Sequence, residues 1–413
     1  MFRKPLFCHG TSRRLGVLAL VCTLVPAVTL AQPATEQPAP APEPPPVPAR
    51  ILPVPAASGD PSEPATAPAP SGVDAKLAGL EKKWAATQKT LDPFAKLKLS
   101  GYVQGRYEFH QDSNESLTAD GAGQATSQFL VRRARLKVAY AGEMSEYVLQ
   151  FDATPGGVGL RDAEATFVEP WTPLGLRLTV GQYKWPFGFE VIQSSQQREM
   201  PERALVIRTL FPGERDRGVR VAGKWEFLRY AAAVMNGEGT DSKFAGRDSS
   251  DHKDAVGRLG VDFETVVGGV SGYYGKSRVV DQKADPIKEI AGTFKDRAKT
   301  RYGADLQLNL GLLPIGATVL RGEYIMGENA GKDVAGWYGF LRQDVAPAVA
   351  LYARVDNYDP DVDAKDDPTL TAGGGVQWMP SKHVRLNATY ERPTKQTSDK
   401  KDDTLTLQVQ ASF

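Results

Sequence analysis

The chain has 413 residues and a formal net charge of +1, so no global field marks it as a nucleic-acid binder. Its mean hydropathy, −0.34, argues against a bundle of apolar transmembrane helices. It does not argue against a membrane barrel, whose strands need apolar residues only at alternate positions.

In chain order, the first 31 residues read as a secretory signal peptide. Arg3, Lys4, Arg13 and Arg14 form a basic start, an apolar stretch runs from Leu15 to Leu30, and Thr29-Leu30-Ala31 precedes an expected cut at Gln32. Both cysteines, Cys8 and Cys22, fall inside this removable segment. The mature chain is therefore expected to lack disulfides, thiolate nucleophiles and cysteine metal sites. No later stretch is apolar for the roughly 18 residues that a transmembrane helix needs. Export without such a helix leaves a soluble periplasmic or secreted protein, or an outer-membrane barrel.

Residues 32–70 hold 14 of the 30 prolines, mixed with Ala and Glu, and read as a semi-rigid linker. Residues 71–92 change character. Ser71 and Asp74 have capping-box spacing. Val73, Leu77, Leu80, Trp84, Thr87 and Leu91 follow at steps of four and three. That spacing is a short heptad seam, suited to a coiled coil or to one amphipathic helix on a barrel mouth. Pro93 is expected to close it.

From residue 97 to residue 413 the period becomes two. Leu405, Leu407, Val409, Ala411 and Phe413 alternate with Thr404, Thr406, Gln408, Gln410 and Ser412, and Tyr302, Ala304, Leu306 and Leu308 oppose Arg301, Asp305, Gln307 and Asn309. A helix would scatter these residues around its circumference, whereas a strand sorts them onto two faces. Sixteen such segments are expected, at 97–109, 128–140, 144–153, 161–169, 175–184, 217–226, 229–236, 255–264, 269–278, 299–310, 315–327, 334–344, 348–357, 371–379, 383–391 and 404–413. Short turns alternate with long polar loops, as in membrane barrels with tight periplasmic turns and larger outer loops. Aromatics gather where the apolar stripes end (Tyr107, Phe109, Tyr140, Trp171, Trp225, Tyr390 and Phe413), matching a membrane-interface girdle. The expected fold is thus all-β: a 16-stranded antiparallel transmembrane β-barrel behind a Pro-rich linker and a short helix. Its apolar stripes should face lipid and its charged stripes a wet lumen.

No catalytic constellation is visible. His110, His252 and His383 are far apart and read as loop or strand-end residues, and Gly373-Gly374-Gly375 lies in a strand and opens no helix. No catalytic residue, metal ligand or cofactor is expected, and the chain is not read as an enzyme. The informative chemistry is lumen charge. By parity Arg106, Arg133, Arg135 and Lys137 lie on neighbouring strands with only Glu108 among them, and Arg177, Arg220 and Lys224 also point inward. Rings of Arg and Lys are how anion pores select, so these seven are the anion-guiding candidates. The longest connection, 185–216, carries Arg198, Arg203, Arg208 and Arg215, with Arg217 just beyond, and an apolar run from Ala204 to Leu210. Folded inward, it would constrict the pore with those five arginines.

Gly181-Gln182-Tyr183-Lys184-Trp185-Pro186-Phe187-Gly188, Pro201-Glu202-Arg203, Arg215-Asp216-Arg217-Gly218-Val219, Val234-Met235-Asn236-Gly237 and Arg132-Arg133-Ala134-Arg135-Leu136 resemble the phosphate-selective porin O and P family, in the family's order. The resemblance implies a 16-stranded homotrimeric porin in the outer membrane of a Gram-negative cell. Its third loop would narrow the channel, and basic side chains would guide phosphate-like anions. The expected function is passive diffusion of small hydrophilic solutes with an anion bias, and the alternative is a general non-selective porin. A secreted β-rich binding protein and an outer-membrane barrel enzyme are the remaining rivals. The expected partners are the lipid bilayer, small anions such as phosphate, further copies of the chain and, through the N-terminal segment, the cell wall. No nucleic acid is expected.

Overall fold

The computed structural model describes residues 72–111, 127–154, 156–240, 251–282, 293–365, 367–395 and 403–413. The expected signal peptide and linker lie outside them. Helix α1 (Gly72–Ala95) leads into β1 (Leu97–His110), followed by β2 (Ser127–Ala141), β3 (Ser145–Thr154), β4 (Gly157–Val168) and β5 (Arg177–Lys184). A short helix, α2 (Leu205–Leu210), precedes β6 (Arg215–Trp225), β7 (Leu228–Met235), β8 (Asp254–Asp262), β9 (Val266–Gln282) and β10 (Thr293–Leu313). The remaining strands are β11 (Gly316–Asn329), β12 (Lys332–Ala346), β13 (Val349–Asp359), β14 (Thr369–Ser381), β15 (Val384–Lys395) and β16 (Thr404–Ser412).

Each strand pairs antiparallel with its sequence neighbours, and β1 closes on β16 with Tyr102 opposite Ser412 and His110 opposite Thr404. The closed 16-stranded barrel inferred from the alternation is the observed one. Closure matters because no sheet edge is left to expose unpaired N–H and C=O groups to hydrocarbon. The main departures lie at boundaries. Strands β9 and β10 run to 17 and 21 residues, well past their expected ends, because their pairing continues beyond the apolar stripe into a polar hairpin. Helix α1 continues past Pro93 to Ala95. A proline removes one backbone donor, and within a last turn that loss need not stop the helix. The seam residues Val73, Leu77, Leu80, Trp84 and Leu91 are all exposed in the single chain.

The two faces settle which solvent lies where. On β16, Leu407 and Val409 are 44% and 51% exposed, while Thr406, Gln408 and Gln410 between and beside them are 3–4% exposed. Apolar outside and polar inside is the inverse of a soluble sandwich and is the arrangement a bilayer requires. The packed apolar core is not between sheets. It is inside the barrel, where Trp185, Phe187, Val206, Ile207, Leu210 and Phe211 meet the wall residues Tyr273, Ile325, Tyr338, Phe340 and Tyr352.

Candidate functional site

The segment from Trp185 to Glu214, between β5 and β6, folds into the lumen. Its entry is built from aromatics. Phe211 packs on Phe187 (ring centroids 4.7 Å), Trp185 (5.6 Å) and Tyr273 of β9 (6.2 Å). Gly188, at φ +56°, then turns the backbone so that its N–H meets Ser271 Oγ at 3.0 Å. The Phe189 and Glu190 N–H groups reach the Glu323 carboxylate of β11 at 3.3 and 3.2 Å. Only glycine fits there, because a Cβ would collide with Glu323 Oε1. Further on, Glu190 caps the start of α2 through the Ala204 N–H at 2.8 Å, and Asp356 accepts the Leu205 N–H at 3.2 Å. Val206, Ile207 and Leu210 bury one face of α2 against β12 and β13, where Gly336 leaves room for Val206.

Between these anchors the wall stitches the loop down by its carbonyl oxygens. Lys184 Nζ donates to Ile192 O (2.9 Å) and Gln193 O (2.6 Å), and within the loop Arg203 donates to Glu190 O (2.7 Å) and Gln193 O (2.9 Å). Gln104 reaches Ser195 O (3.3 Å), Gln410 reaches Gln196 O (3.2 Å) and Asn387 reaches Glu199 O (2.7 Å). Arg106 and Arg354 take Pro201 O and Glu202 O, each at 2.7 Å. Arg321 adds an ion pair to Glu199 at 3.3 Å. The loop is thereby bonded to β1, β5, β9, β11, β13, β15 and β16, and through Arg132 and Arg135 to β2, and leaves a 420 Å³ cavity against β7 and β8, lined on the wall side by Arg229 and Arg258.

The sequence-derived candidates take different places. Arg106, Arg133 and Arg135 are buried under the loop, whereas Lys137 and Lys224 are exposed. Arg106 is spent on Gln408, Glu108, Glu202 and Pro201. Arg135 holds Asp152 (3.1 Å) and Ser195 Oγ (2.7 Å). Arg177 pairs with Glu146, and Arg220 with Glu164 at 3.3 Å. Of the five loop arginines, Arg198 and Arg203 are buried in the inward segment, and Arg208 on α2 is exposed. Arg215 and Arg217 belong to the wall instead, because ladder pairing with Lys184 and Gln182 starts β6 at Arg215. Arg215 forms a buried pair with Asp162 at 2.6 Å.

Parity alone misses Arg132. The β1–β2 register shifts so that Gln104 faces Arg133 and Gly105 faces Val131, leaving Arg132 as a bulge residue. A bulge sets two consecutive side chains on one face. Arg132 and Arg133 consequently both turn inward, and Arg132 meets Glu202 at 2.8 Å. In the sequence the visible trace of this is the Arg132-Arg133 doublet. Lys184 stands out there only as part of a motif, since its partners are backbone atoms of a loop that folding alone brings near.

Glu202 is the hub. Arg106 and Arg132 touch it at 2.8 Å, and Arg133 and Arg198 stand 4.0 Å away. Burial alone would raise its pKa, but these four cations, Arg198 foremost, hold its carboxyl well below the usual range. Glu214, between Arg203 and Arg215, is likewise lowered to about 2 against the effect of burial. Arg198 is the opposite case: burial, then Arg203, push its pKa well down. Guanidinium stays charged in proteins, so this shift marks a charge that is poorly compensated.

A closed barrel of sixteen strands, greasy outside and ionic within, with its longest described loop folded into the lumen, is an outer-membrane porin: a bilayer-spanning channel for passive diffusion of small hydrophilic solutes. Residues 102–262, which include the loop and both strands that carry it, match the family model of phosphate-selective porin O and P, so the resemblance seen in the motifs holds. Among solved structures the fold is similar to outer-membrane-expressed OmpT of Vibrio cholerae (TM-score 0.54, 11% identity, 77% of this chain and 97% of that one). It is also similar to the outer membrane channel DcaP of Acinetobacter baumannii (0.53, 12%, 77% and 97%) and to an anion-selective porin from Comamonas acidovorans (0.53, 11%, 77% and 99%). No curated protein sequence matches the chain.

Proposed function

We propose that this porin favours anions, and that the selective point is the guanidinium cluster around Glu202. The observation that carries the reading is a surplus of buried N–H donors. Arg133 Nε and Arg198 Nε and Nη1 have no hydrogen-bond partner among the described residues, although both side chains are at most 5% exposed. Four guanidiniums (Arg106, Arg132, Arg133 and Arg198) face two carboxylates, Glu108 and Glu202. An unpaired buried donor is costly, so an acceptor-rich anion such as phosphate gains where a cation is repelled. The loop carbonyls, which could otherwise hold a cation, are turned to the wall. Lys137, Lys224 and Arg208, all exposed, would draw anions toward the cluster, and the paired Arg177 and Arg220 would contribute less. Those same wall pairs favour the second reading, a general porin with only slight preference.

The test is the reversal potential of the purified porin in a planar bilayer under a potassium chloride gradient. The parent should reverse on the anion side, and Arg133→Gln with Arg198→Gln should bring it close to zero. A cation-side reversal in the parent would overturn the assignment. In-vitro-folded OmpT of Vibrio cholerae has a trimer form, and a homotrimer exported by a cleaved signal peptide is proposed for this chain too. Contact of the N-terminal segment with the cell wall is proposed as well.

A further inference from the structure

Beneath the inward loop, at the short-turn end of the lumen, lies a second pocket of 360 Å³ between the loop and strands β12, β14, β15 and β16. It shares no residue with the Glu202 cluster. Loop residues Gln197 and Glu199 form its roof, and Arg342, Gln377, Lys382 and Arg385 are among its walls. Three of its side chains have buried donors with nothing to bond among the described residues: Gln377 Nε2, on a residue 1% exposed, Arg385 Nε, on one 9% exposed, and Arg342 Nε. Arg342 is matched by Asp344 at 2.8 Å and Glu199 by Arg321 at 3.3 Å, so among the described residues Arg385 and Lys382 remain as cations with no ion pair. Gln410 and the Gln196 carbonyl hold Arg385 in place through its Nη2, which leaves Nε as the free donor.

We infer that this pocket binds a small hydroxylated monocarboxylate from the short-turn side. Two uncompensated cations suit one carboxylate. The amides of Gln197 and Gln377 offer donors and acceptors together, which hydroxyl groups satisfy and a bare polyanion does not. The volume sits at the low end of small-molecule sites. The site depends on the chain being a channel, but not on its ion preference.

The probe is gluconate, with inorganic phosphate and glucose as comparators, added in turn to each side of a bilayer holding the full-length porin in potassium chloride. Gluconate should block the current from one side only, at a concentration at least tenfold below that needed for phosphate or glucose. Gln377→Leu with Lys382→Gln should raise the blocking concentration at least tenfold, provided that the variant keeps its heat-modifiable gel shift. The exposed Lys382→Gln alone should raise it about threefold, and calorimetric titration of gluconate into detergent-folded protein should follow the same order. Equal block by phosphate, block from both sides alike, or block indifferent to Lys382→Gln would each overturn the assignment. One-sided gluconate block in a channel with a cation-side reversal potential would uphold the pocket and sink the anion-bias reading.

Discussion

Glu202 draws in four arginines that would otherwise repel one another, so its substitution separates two effects of charge. Glu202→Gln removes a negative charge from the narrow region and should move the reversal potential further to the anion side. It also takes the charge from the oxygen that Arg106 and Arg132 share and so weakens both bonds, and open-channel current noise should rise. An unchanged potential would mean that ions do not sense this cluster. The depressed pKa values of Glu202 and Glu214 fix the pH window. A carboxylate whose folded pKa lies below its unfolded value contributes its full stability above about pH 4.5, and that contribution is lost as pH falls through the folded value. The loop should therefore stay latched at pH 4 and loosen only as the pH approaches the value of about 2 held by Glu214. Protease susceptibility of the loop after brief acid exposure, measured against pH, checks this; loosening near pH 5 would contradict it. Gly188→Ala strains the backbone and drives a Cβ into Glu323. A left-handed non-glycine residue alone costs roughly 1–3 kcal/mol, and loop cleavage should become detectable in that variant at neutral pH.

Helix α2 is too short to be stable alone, and packing holds it. Ile207 is fully buried, and truncating such a residue costs about 2–5 kcal/mol, so Ile207→Ala should loosen the loop without altering the barrel. Gly336→Val should do so more strongly, because a Cβ there would stand 2.6 Å from Val206. Both variants should conduct more than the parent and with added noise, and lower conductance in both would mean that the helix does not narrow the passage. The apolar run from Ala204 to Leu210 made an inward loop legible, since its five apolar residues suit a wall better than water. Which wall it meets was not legible. Val206 finds Gly336 across 130 positions of chain, and nothing local to either residue encodes that encounter.

For the whole molecule, stability rests on closing the ring. Phe413 exchanges both backbone bonds with Gly101 (N–H to O at 3.0 and 3.1 Å), and its ring lies against that glycine. Deleting Phe413 should lower the yield of heat-modifiable barrel in detergent refolding, while deleting residues 1–70, which lie outside all sixteen strands, should not. The order of those two yields is the readout.

Alternation, turn rhythm and aromatic positions were enough to define sixteen strands and their faces, because a bilayer demands the same two-residue period of each strand. Tertiary structure alone decided which lumen cations stay available. Arg106 looks equivalent to Arg133 along the sequence, yet its nitrogens are consumed by Gln408, Glu108, Glu202 and Pro201, whereas Arg133 keeps an unpaired Nε, as does Arg135 although its terminal nitrogens hold Ser195 and Asp152. The difference comes from one bulge at Arg132 and from where the loop comes to rest. Both depend on partners distant in the chain, so no local pattern could carry them.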